Sequence, residues 1–209
     1  MMRYRSACAT PRRAVRPSAL LERMIIIAED SRFQTHHGID FIELREALAG
    51  GGQRGASTIT QQLAKNLYLS PSRSLLRKVK EAVTAMRLEL ALPKPRIMDL
   101  YLSTAELGPG VWGVAEASEA YFGVQPDQLS AAQAASLAAT LPQPRSSNPT
   151  FRPARMLARR GLILARYYGG TVAVPRAPVV DDSIPFIPPL EPPVIPVDSL
   201  PVDSLIHQP

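Results

Sequence analysis

Two neighbouring carboxylates are the first residues in this sequence whose types and position suggest chemistry. Glu29 and Asp30 directly follow the apolar run 24–28, so they must either face a cleft or find polar partners. A carboxylate that faces a cleft can serve as a general base. A solvated helix end is the commoner explanation of an isolated acidic pair. Phe33, one turn further on, and His36 before a glycine turn favour a functional site here.

A second candidate site lies in the segment 55–66, which reads Gly-Ala-Ser-Thr-Ile-Thr-Gln-Gln-Leu-Ala-Lys-Asn. Small residues that lead into a hydroxyl-rich helix start offer backbone N–H groups, the hydroxyls of Ser57 and Thr58, and the positive end of a helix dipole. Gln61 and Lys65 lie one and two turns along that face, so a diphosphate could be bound from several sides. A well-capped polar helix without a ligand is the alternative.

A basic segment at residues 73–81 surrounds one glutamate. On a helix, four charged residues of this segment share one face: Arg73, Arg77, Lys80 and Glu81. Exposed ion pairs, each worth less than about 1 kcal/mol, would account for Glu81 but leave a surplus of positive charge. This surplus favours an anionic ligand, and Lys78 adds another positive charge close by.

The elements that must position these residues are predicted to be helices. Between residues 19 and 169 the sequence is rich in Ala, Leu, Arg and Glu, and no alternating apolar run demands a sheet. The predicted helices are 19–30, 40–49, 58–69, 74–92, 96–103, 113–122, 130–140 and 152–168. Helix 74–92 has the clearest apolar stripe, which we predict to face the core: Leu75, Val79, Val83, Met86 and Leu90. Pro93 and Pro95 are predicted to end it.

Three regions follow from the change in composition along the chain. Residues 1–18 form an Arg-rich N-terminal arm, residues 19–169 the folded domain, and residues 170–209 a Pro-rich tail. Proline removes backbone donors and fixes φ, so the tail is predicted to be polyproline-like or disordered and not packed. A spacer or a docking peptide for a Pro-reading partner would both suit this composition.

Charge and composition limit the classes of partner and cofactor. The net charge is +6, and residues 1–170 hold 23 basic and 13 acidic residues. Such a body should attract anionic lipid, nucleic acid or a phosphorylated substrate, although the excess could serve solubility alone. One Cys excludes a disulfide framework, and the three His show no metal-ligand spacing. No apolar run approaches the roughly 20 residues that span a bilayer, and no secretory signal is apparent.

Taken in order, the motifs resemble the peptidoglycan glycosyltransferase family, whose lysozyme-like domain polymerises lipid II. The matching stretches are Glu29-Asp30-x-x-Phe33-x-x-His36-x-Gly38, the segment 55–66, Arg77-Lys78-x-x-Glu81, Tyr101-Leu102, Gly113-Val114, Tyr121-Phe122-Gly123 and Leu137-Ala138-Ala139. The resemblance covers roughly residues 20–165. The chain is similar to the monofunctional biosynthetic members of the family, because no penicillin-binding transpeptidase domain follows. The implied fold is mostly α: a lysozyme-like glycosyltransferase domain with a disordered Pro-rich C-terminal tail.

The resemblance implies a role for each matching residue. Glu29 corresponds to the general base that takes the proton from the 4-hydroxyl of the acceptor lipid II. Glu81 corresponds to a second catalytic glutamate near the pyrophosphate leaving group. The residues implied to bind the substrate or line its site are Lys65, Arg73, Arg77, Lys78, Lys80, Ser57, Thr58, Gln61, Asp30, Phe33 and His36. Among them, Asp30 and His36 are expected to support Glu29.

The resemblance also implies partners and a location. The implied reaction requires no cofactor, and the family motifs contain no metal ligands. The sequence leaves open whether a divalent metal ion assists the reaction. The expected partners are lipid II, the growing glycan chain, the membrane surface and cell-wall synthesis proteins, and not nucleic acid. The expected location is the periplasmic face of the bacterial inner membrane, although the usual N-terminal membrane helix is not seen in this chain. Ser103 also departs from the family, which usually has asparagine there.

The sequence leaves two other functions open. A lysozyme-like hydrolase or lytic transglycosylase would cleave glycan strands, but a neutral glycan has no pyrophosphate for the cations of segment 73–80 to bind. A non-catalytic or truncated, inactive member that binds lipid II or anionic lipid would keep those cations. Its behaviour would not depend on Glu29.

Overall fold

The computed structural model describes residues 18–50, 55–69 and 74–175, and within them the fold is mostly α, as predicted. The α-helices of these residues are α1 (Ala19–Glu29), α2 (Phe41–Ala49), α3 (Ile59–Tyr68), α4 (Leu75–Ala91), α5 (Lys94–Thr104), α6 (Val114–Phe122), α7 (Ala131–Thr140) and α8 (Ala154–Tyr167). A short antiparallel hairpin, β1 (Glu106–Gly108) with β2 (Val111–Trp112), and a 3-10 turn at Pro126–Gln128 complete them. No helix of the described residues is long and apolar enough to span a bilayer.

Helix starts follow from local capping residues. The predicted capping box at the start of α3 is confirmed: the Thr58 hydroxyl accepts from the Gln61 N–H, and the Gln61 side chain accepts from the Thr58 N–H. Helix α5 begins two residues earlier than predicted, at Lys94 instead of Arg96. Pro95 lies in its first turn, where a missing N–H donor costs nothing.

The core forms where α1 packs on α7 and α8, which also pack on each other, and where α3 packs on α4 and α5. Helix α1 is buried as predicted, because Leu21, Met24 and Ile25 have no exposed surface. Its neighbour α7 is rich in alanine, and small side chains such as Ala134 and Ala138 allow the two helices to approach closely. This packing fixes the C-terminal end of α1, where Glu29 lies.

The predicted core face of α4 is wrong. Leu75 and Leu90 are 88% and 89% exposed, and Val79 is also exposed. The face of α4 that turns inward carries Glu81 and Ala85 instead. The apolar stripe has the predicted helical spacing, but it points away from the protein.

Helix α2 adds to this apolar exterior. Phe41, Ile42 and Leu48 are all more than half exposed. We call the exposed apolar side chains of α2 and α4 the outer apolar surface; its largest members are Phe41, Ile42, Leu48, Leu75, Leu76, Val79 and Leu90. Many large apolar side chains exposed on two helices are typical of an interaction surface.

The segment that follows α8 returns to the body of the protein. Val174 is partly buried and packs against the core, and the carbonyl of Pro175 accepts a hydrogen bond from Arg159. Thr171, Val172, Ala173 and Pro175 are exposed and outside any helix or strand, so of these residues only Val174 departs from the predicted unpacked tail. The rest of the predicted tail, from residue 176, and the N-terminal arm up to residue 17 lie outside the described residues.

Candidate active site

Glu29 is the last residue of α1, and both of its carboxylate oxygens are held by donors from other helices. Oε1 accepts from Nη2 of Arg159 on α8 at 3.1 Å, and Oε2 accepts from Nε2 of Gln62 on α3 at 2.9 Å. Glu29 is 9% exposed. The carboxylate is therefore nearly enclosed and fixed in direction, as a group that must meet one substrate atom would need to be.

Asp30 connects the end of α1 to the start of α3. It has no exposed surface, and its Oδ2 accepts from the Ile59 N–H at 2.9 Å and from Nε2 of His36 at 2.9 Å. The Ile59 N–H is one of the free donors at a helix N-terminus, where a negative charge is favoured. Asp30 thus holds α3, and with it Gln62, in place beside Glu29.

Thr58 and Gly38 bring the turn after α1 against α3 and α4. The Thr58 hydroxyl donates to the Gly38 carbonyl at 2.6 Å. Gly38 has φ +91°, and a Cβ there would lie 2.9 Å from the Ala85 carbonyl carbon on α4. Only glycine allows this backbone conformation together with so close an approach.

Three side chains that the resemblance assigns to the substrate site do not line it. Asp30, Phe33 and Thr58 have no exposed surface. The Phe33 ring packs edge-on against His36 with 6.3 Å between the ring centroids, and the Lys94 ammonium lies 4.5 Å from its centre. These residues support the site from behind. Gln61, which is nearly buried, acts in the same way through its capping bond.

Glu81 is not an exposed ion-paired residue, because only 2% of it is accessible. Its Oε2 accepts from Nη1 of Arg77 at 2.8 Å, and its Oε1 accepts from Nζ of Lys78. Lys78 also donates to the Ser57 hydroxyl at 2.7 Å, which joins α4 to the segment that leads into α3. Glu81 therefore holds two cations at the approach to α3.

Glu29 and Glu81 are joined to the same short stretch of chain. Glu29 contacts Gln62, and Glu81 reaches Ser57 through Lys78. Lys65 is exposed and lies three residues after Gln62, on the same side of α3. The structure thus brings the predicted general base, the second glutamate and the predicted cations Arg77 and Lys78 to the start of α3 and the facing part of α4, and places Lys65 in the last turn of α3.

Of the two remaining predicted cations, the structure describes only Lys80. Arg73 lies outside the described residues. Lys80 is exposed and lines a separate groove with Tyr68, Leu69 and Arg87 at the far end of α3. Lys80 lies on α4 with Arg77 and Glu81, and its place in the substrate site stays a prediction.

Sequence reasoning missed three residues that contact the site: Gln62, Tyr101 and Arg159. The Tyr101 hydroxyl donates to Oε1 of Gln62 at 3.0 Å, which turns the amide NH₂ of Gln62 toward Glu29. Burial raises the pKa of Tyr101 well above its usual value, and the charges of Glu29 and Asp30 raise it further. Tyr101 therefore remains a donor at neutral pH. Gln62 and Tyr101 lie inside quoted motifs, but no local pattern marks Arg159.

The described residues hold no group of three His, Cys, Asp or Glu side chains that could bind a metal ion. The polar groups around Glu29 are an arginine, an amide and a phenol, and those around Glu81 are two cations. Cations and neutral donors suit an anionic ligand.

Comparison with known proteins shows the family of the chain. A family model described as transglycosylase matches residues 9–168. The chain belongs to the transglycosylase family. It is 46% identical over 146 residues to the "Biosynthetic peptidoglycan transglycosylase" of Chromohalobacter salexigens, covering 68% of this chain and 62% of that relative.

Two further relatives match slightly shorter and slightly longer parts of this chain. The "Biosynthetic peptidoglycan transglycosylase" of Marinomonas sp. is 49% identical over 129 residues, which is 60% of this chain and 57% of the relative. The "Penicillin-binding protein 1A" of Escherichia coli is 42% identical over 149 residues, or 69% of this chain and 18% of that protein. The chain thus spans less than two thirds of the relatives that it matches.

Proposed function

We propose that this transglycosylase-family chain is a peptidoglycan glycosyltransferase that joins lipid II units into β-1,4-linked glycan strands and releases undecaprenyl pyrophosphate. The observation that carries the proposal is the carboxylate of Glu29. This carboxylate is almost buried, and both of its oxygens accept hydrogen bonds. It lies beside α3, and Arg77 and Lys78 lie near the segment that leads into α3.

In the proposed reaction, Glu29 accepts the proton of the acceptor's 4-hydroxyl. The hydroxyl oxygen attacks the anomeric carbon of the donor, a new C–O bond forms, and the bond to the pyrophosphate oxygen breaks. The electron pair of that bond leaves with undecaprenyl pyrophosphate, and the proton remains on Glu29. A positioned general base contributes about 10²–10⁴-fold to such a step.

The leaving pyrophosphate would be stabilised by cations near α3. Lys65, Lys78 and Arg77 are already in place before substrate arrives, so they need not reorganise when negative charge develops. Glu81 supports this role because it pairs with both Arg77 and Lys78 and fixes their direction. The transferred sugar brings its own leaving group, so the reaction as proposed needs no cofactor. Rates measured with EDTA and with added Mg²⁺ test whether a divalent ion takes part.

We propose in addition that the outer apolar surface contacts the membrane that carries the lipid substrate. Leu75, Leu76 and Leu90 lie on α4, and the same helix carries Lys78, Lys80 and Arg87, whose exposed charges suit anionic headgroups. With lipid II as substrate, the site of action would be the periplasmic face of the inner membrane. Cell-wall synthesis proteins would be the natural protein partners, and nucleic acid would not be one.

The central experiment is polymerisation of detergent-solubilised lipid II by the purified chain and by Glu29→Gln. The matched control is Glu119→Gln, an exposed glutamate on α6. We expect the parent and the control to form polymer and Glu29→Gln to be at least about 10²-fold slower. Polymer formation by Glu29→Gln at the parental rate would remove Glu29 from the mechanism.

Two additional readouts separate the proposed function from its rivals. Release of soluble fragments from finished peptidoglycan, without polymer from lipid II, would identify a glycan-cleaving enzyme. Binding of lipid II by both the parent and Glu29→Gln without any polymer would identify a non-catalytic lipid-binding protein. We expect neither result, because Arg77, Lys78 and Lys65 suit a pyrophosphate leaving group that a finished glycan does not have.

Membrane contact is tested by sedimentation with vesicles of phosphatidylethanolamine and phosphatidylglycerol. We expect the paired change Leu75→Glu and Leu90→Glu to lower the bound fraction, because it places charge in the apolar stripe of α4. Leu157→Glu on α8, a less exposed leucine outside the outer apolar surface, is the control. Equal binding by the α4 variant and the parent would refute this contact.

A further inference from the structure

We propose that Arg159 is a positioning residue for Glu29, and that segment 171–175 holds Arg159 in its working orientation. This inference rests on the proposed function, because it assigns the residues that aim the general base. Arg159 lies in the middle of α8, 130 residues from Glu29 in sequence. Its guanidinium group donates hydrogen bonds to two acceptors on α1 and to a third acceptor in segment 171–175.

The first observation is that one nitrogen of Arg159 binds both the backbone and the side chain at the end of α1. Nη2 donates to the Ala28 carbonyl at 2.8 Å and to Oε1 of Glu29 at 3.1 Å. The Ala28 carbonyl is one of the acceptors that a helix leaves without an internal partner at its C-terminus. The same cation therefore caps α1 and fixes the carboxylate that follows it.

Electrostatics gives this contact a specific purpose. A glutamate at the C-terminal end of a helix faces the negative end of the helix dipole, which repels its charge. The side chains of Glu29 and Arg159 are each only 11% exposed, so little water is present to screen that repulsion. Arg159 supplies the opposite charge within hydrogen-bond distance. Without it, the carboxylate would be expected to turn away from the end of α1.

The second observation is that Arg159 is itself held from the other side. Its Nη1 donates to the Pro175 carbonyl, and the neighbouring Val174 packs against the core. A guanidinium group is planar and rigid, so fixing Nη1 also fixes the direction of Nη2. Segment 171–175 therefore acts on Glu29 through Arg159, although it touches no part of α1 in these contacts.

The third observation is that Arg159 and Gln62 divide the carboxylate between them. Oε1 accepts from Arg159 and Oε2 from Gln62, so the plane of the carboxylate is set by two separate helices. Each oxygen of a carboxylate has further acceptor capacity, which leaves room for the substrate hydroxyl. Loss of Arg159 should therefore affect the rate of the chemical step more than the affinity for lipid II.

The test compares kcat and KM for lipid II in the full chain and in Arg159→Gln. Misplacing a catalytic group by about 1 Å can cost about 10²-fold in rate, so we expect kcat to fall by about that factor while KM changes less than about threefold. Arg155→Gln is the matched control: it lies one turn earlier on α8, is exposed, and contacts Gln143 at 3.4 Å and not Glu29. We expect the control to keep the parental kcat.

A rescue experiment distinguishes positioning from a structural role. We expect millimolar guanidinium to restore part of kcat in Arg159→Ala, because it can take the vacated place, and to restore nothing in Glu29→Gln. Guanidinium solvates apolar and peptide groups, so it lowers the free energy gained from burying them and destabilises folded proteins. If Arg159 only stabilised the fold, guanidinium would lower the activity of Arg159→Ala further, and the proposal would be wrong. Arg159→Lys, which keeps the charge but not the planar group, should have an intermediate kcat.

Segment 171–175 is tested by truncation. A chain that ends after residue 170 lacks the Pro175 carbonyl, and a chain that ends after residue 178 keeps it. We expect kcat to fall about tenfold in the shorter chain and to stay parental in the longer one, since one fixing contact of about 1.4 kcal/mol corresponds to a factor of ten. Parental kcat in the shorter chain would refute the role of this segment.

The outcome for Arg159 and the outcome for the proposed function can be told apart. If the parent makes no polymer from lipid II, the proposed function fails and the inference fails with it. If the parent makes polymer and Arg159→Gln does so with the parental kcat, only the inference fails. If Arg159→Gln does not fold, Arg159→Lys decides: parental kcat in that variant overturns the proposal, and a lowered kcat at parental melting temperature supports it.

Discussion

Replacement of Asp30 by asparagine should loosen the joint between α1 and α3. Asp30 has no exposed surface, and its carboxylate accepts from the Ile59 N–H and from Nε2 of His36, each at 2.9 Å. Hydrogen bonds to a charged group contribute about 1.5–3 kcal/mol, against about 1 kcal/mol for neutral pairs. Asparagine therefore loses about 1 kcal/mol at each of the two donors, and its NH₂ group turns a third donor toward His36 or Ile59.

The expected change in the free energy of unfolding is thus at least about 2 kcal/mol. For a protein of this size, 1 kcal/mol lowers Tm by about 2–4 °C, so Asp30→Asn should melt about 4–8 °C below the parent. Circular dichroism during thermal and urea unfolding measures both quantities. Asp99→Asn is the control, because Asp99 is an exposed carboxylate on α5 and its replacement should stay within about 0.5 kcal/mol of the parent.

Activity gives a second measure of the same joint. Gln62 lies on the first turns of α3, and its amide reaches Glu29 at 2.9 Å, so a shift of the start of α3 moves a group that holds the general base. We expect Asp30→Asn to polymerise lipid II more slowly than the parent even at temperatures well below its Tm. If its stability and rate both match those of Asp99→Asn, then Asp30 does not hold the site together, and the reasoning is wrong.

Three further predictions concern single residues. Lys65→Ala should raise KM for lipid II without changing Tm, since Lys65 is exposed and its ammonium has no hydrogen-bond partner among the described residues; equal losses of affinity and stability would assign it to the fold. Tyr101→Phe should lower kcat and cost about 1–3 kcal/mol, because it leaves the Gln62 amide oxygen without its donor; unchanged kcat would refute the contact. Burial raises the pKa of Tyr121 to about 12, so folded Tyr121 keeps its proton where the unfolded residue loses it. Stability should therefore fall as pH rises from about 10 to about 12, with a smaller slope in Tyr121→Phe.

The elements with local signals were predictable from the sequence. The start of α3 was predictable, because Thr58 and Gln61 form a capping box that depends only on two residues three positions apart. The hairpin β1–β2 was not, since strands of three and two residues are too short to show alternation. The start of α5 was misplaced because proline ends one helix and is also accepted in the first turn of the next.

The candidate site was predictable only where its residues lie in one continuous segment. Glu29 was predictable because a carboxylate directly after a buried apolar run needs a polar partner, but the sequence does not say which partner. Arg159 meets that need from a distance of 130 residues along the chain. That contact exists because α1 packs on α8, and nothing in the sequence near either residue encodes which helices pack together.

Helix α4 shows how a correct pattern can give the wrong orientation. Helical spacing of Leu75, Val79 and Leu90 establishes that one face is apolar, but spacing does not say what that face contacts. The opposite face can turn inward because Arg77 and Lys78, four and three residues before Glu81, neutralise its buried carboxylate. The apolar stripe is then left for another apolar phase. If lipid covers it, as we propose, the rule that apolar side chains avoid water still holds for α4, with the bilayer in place of the core.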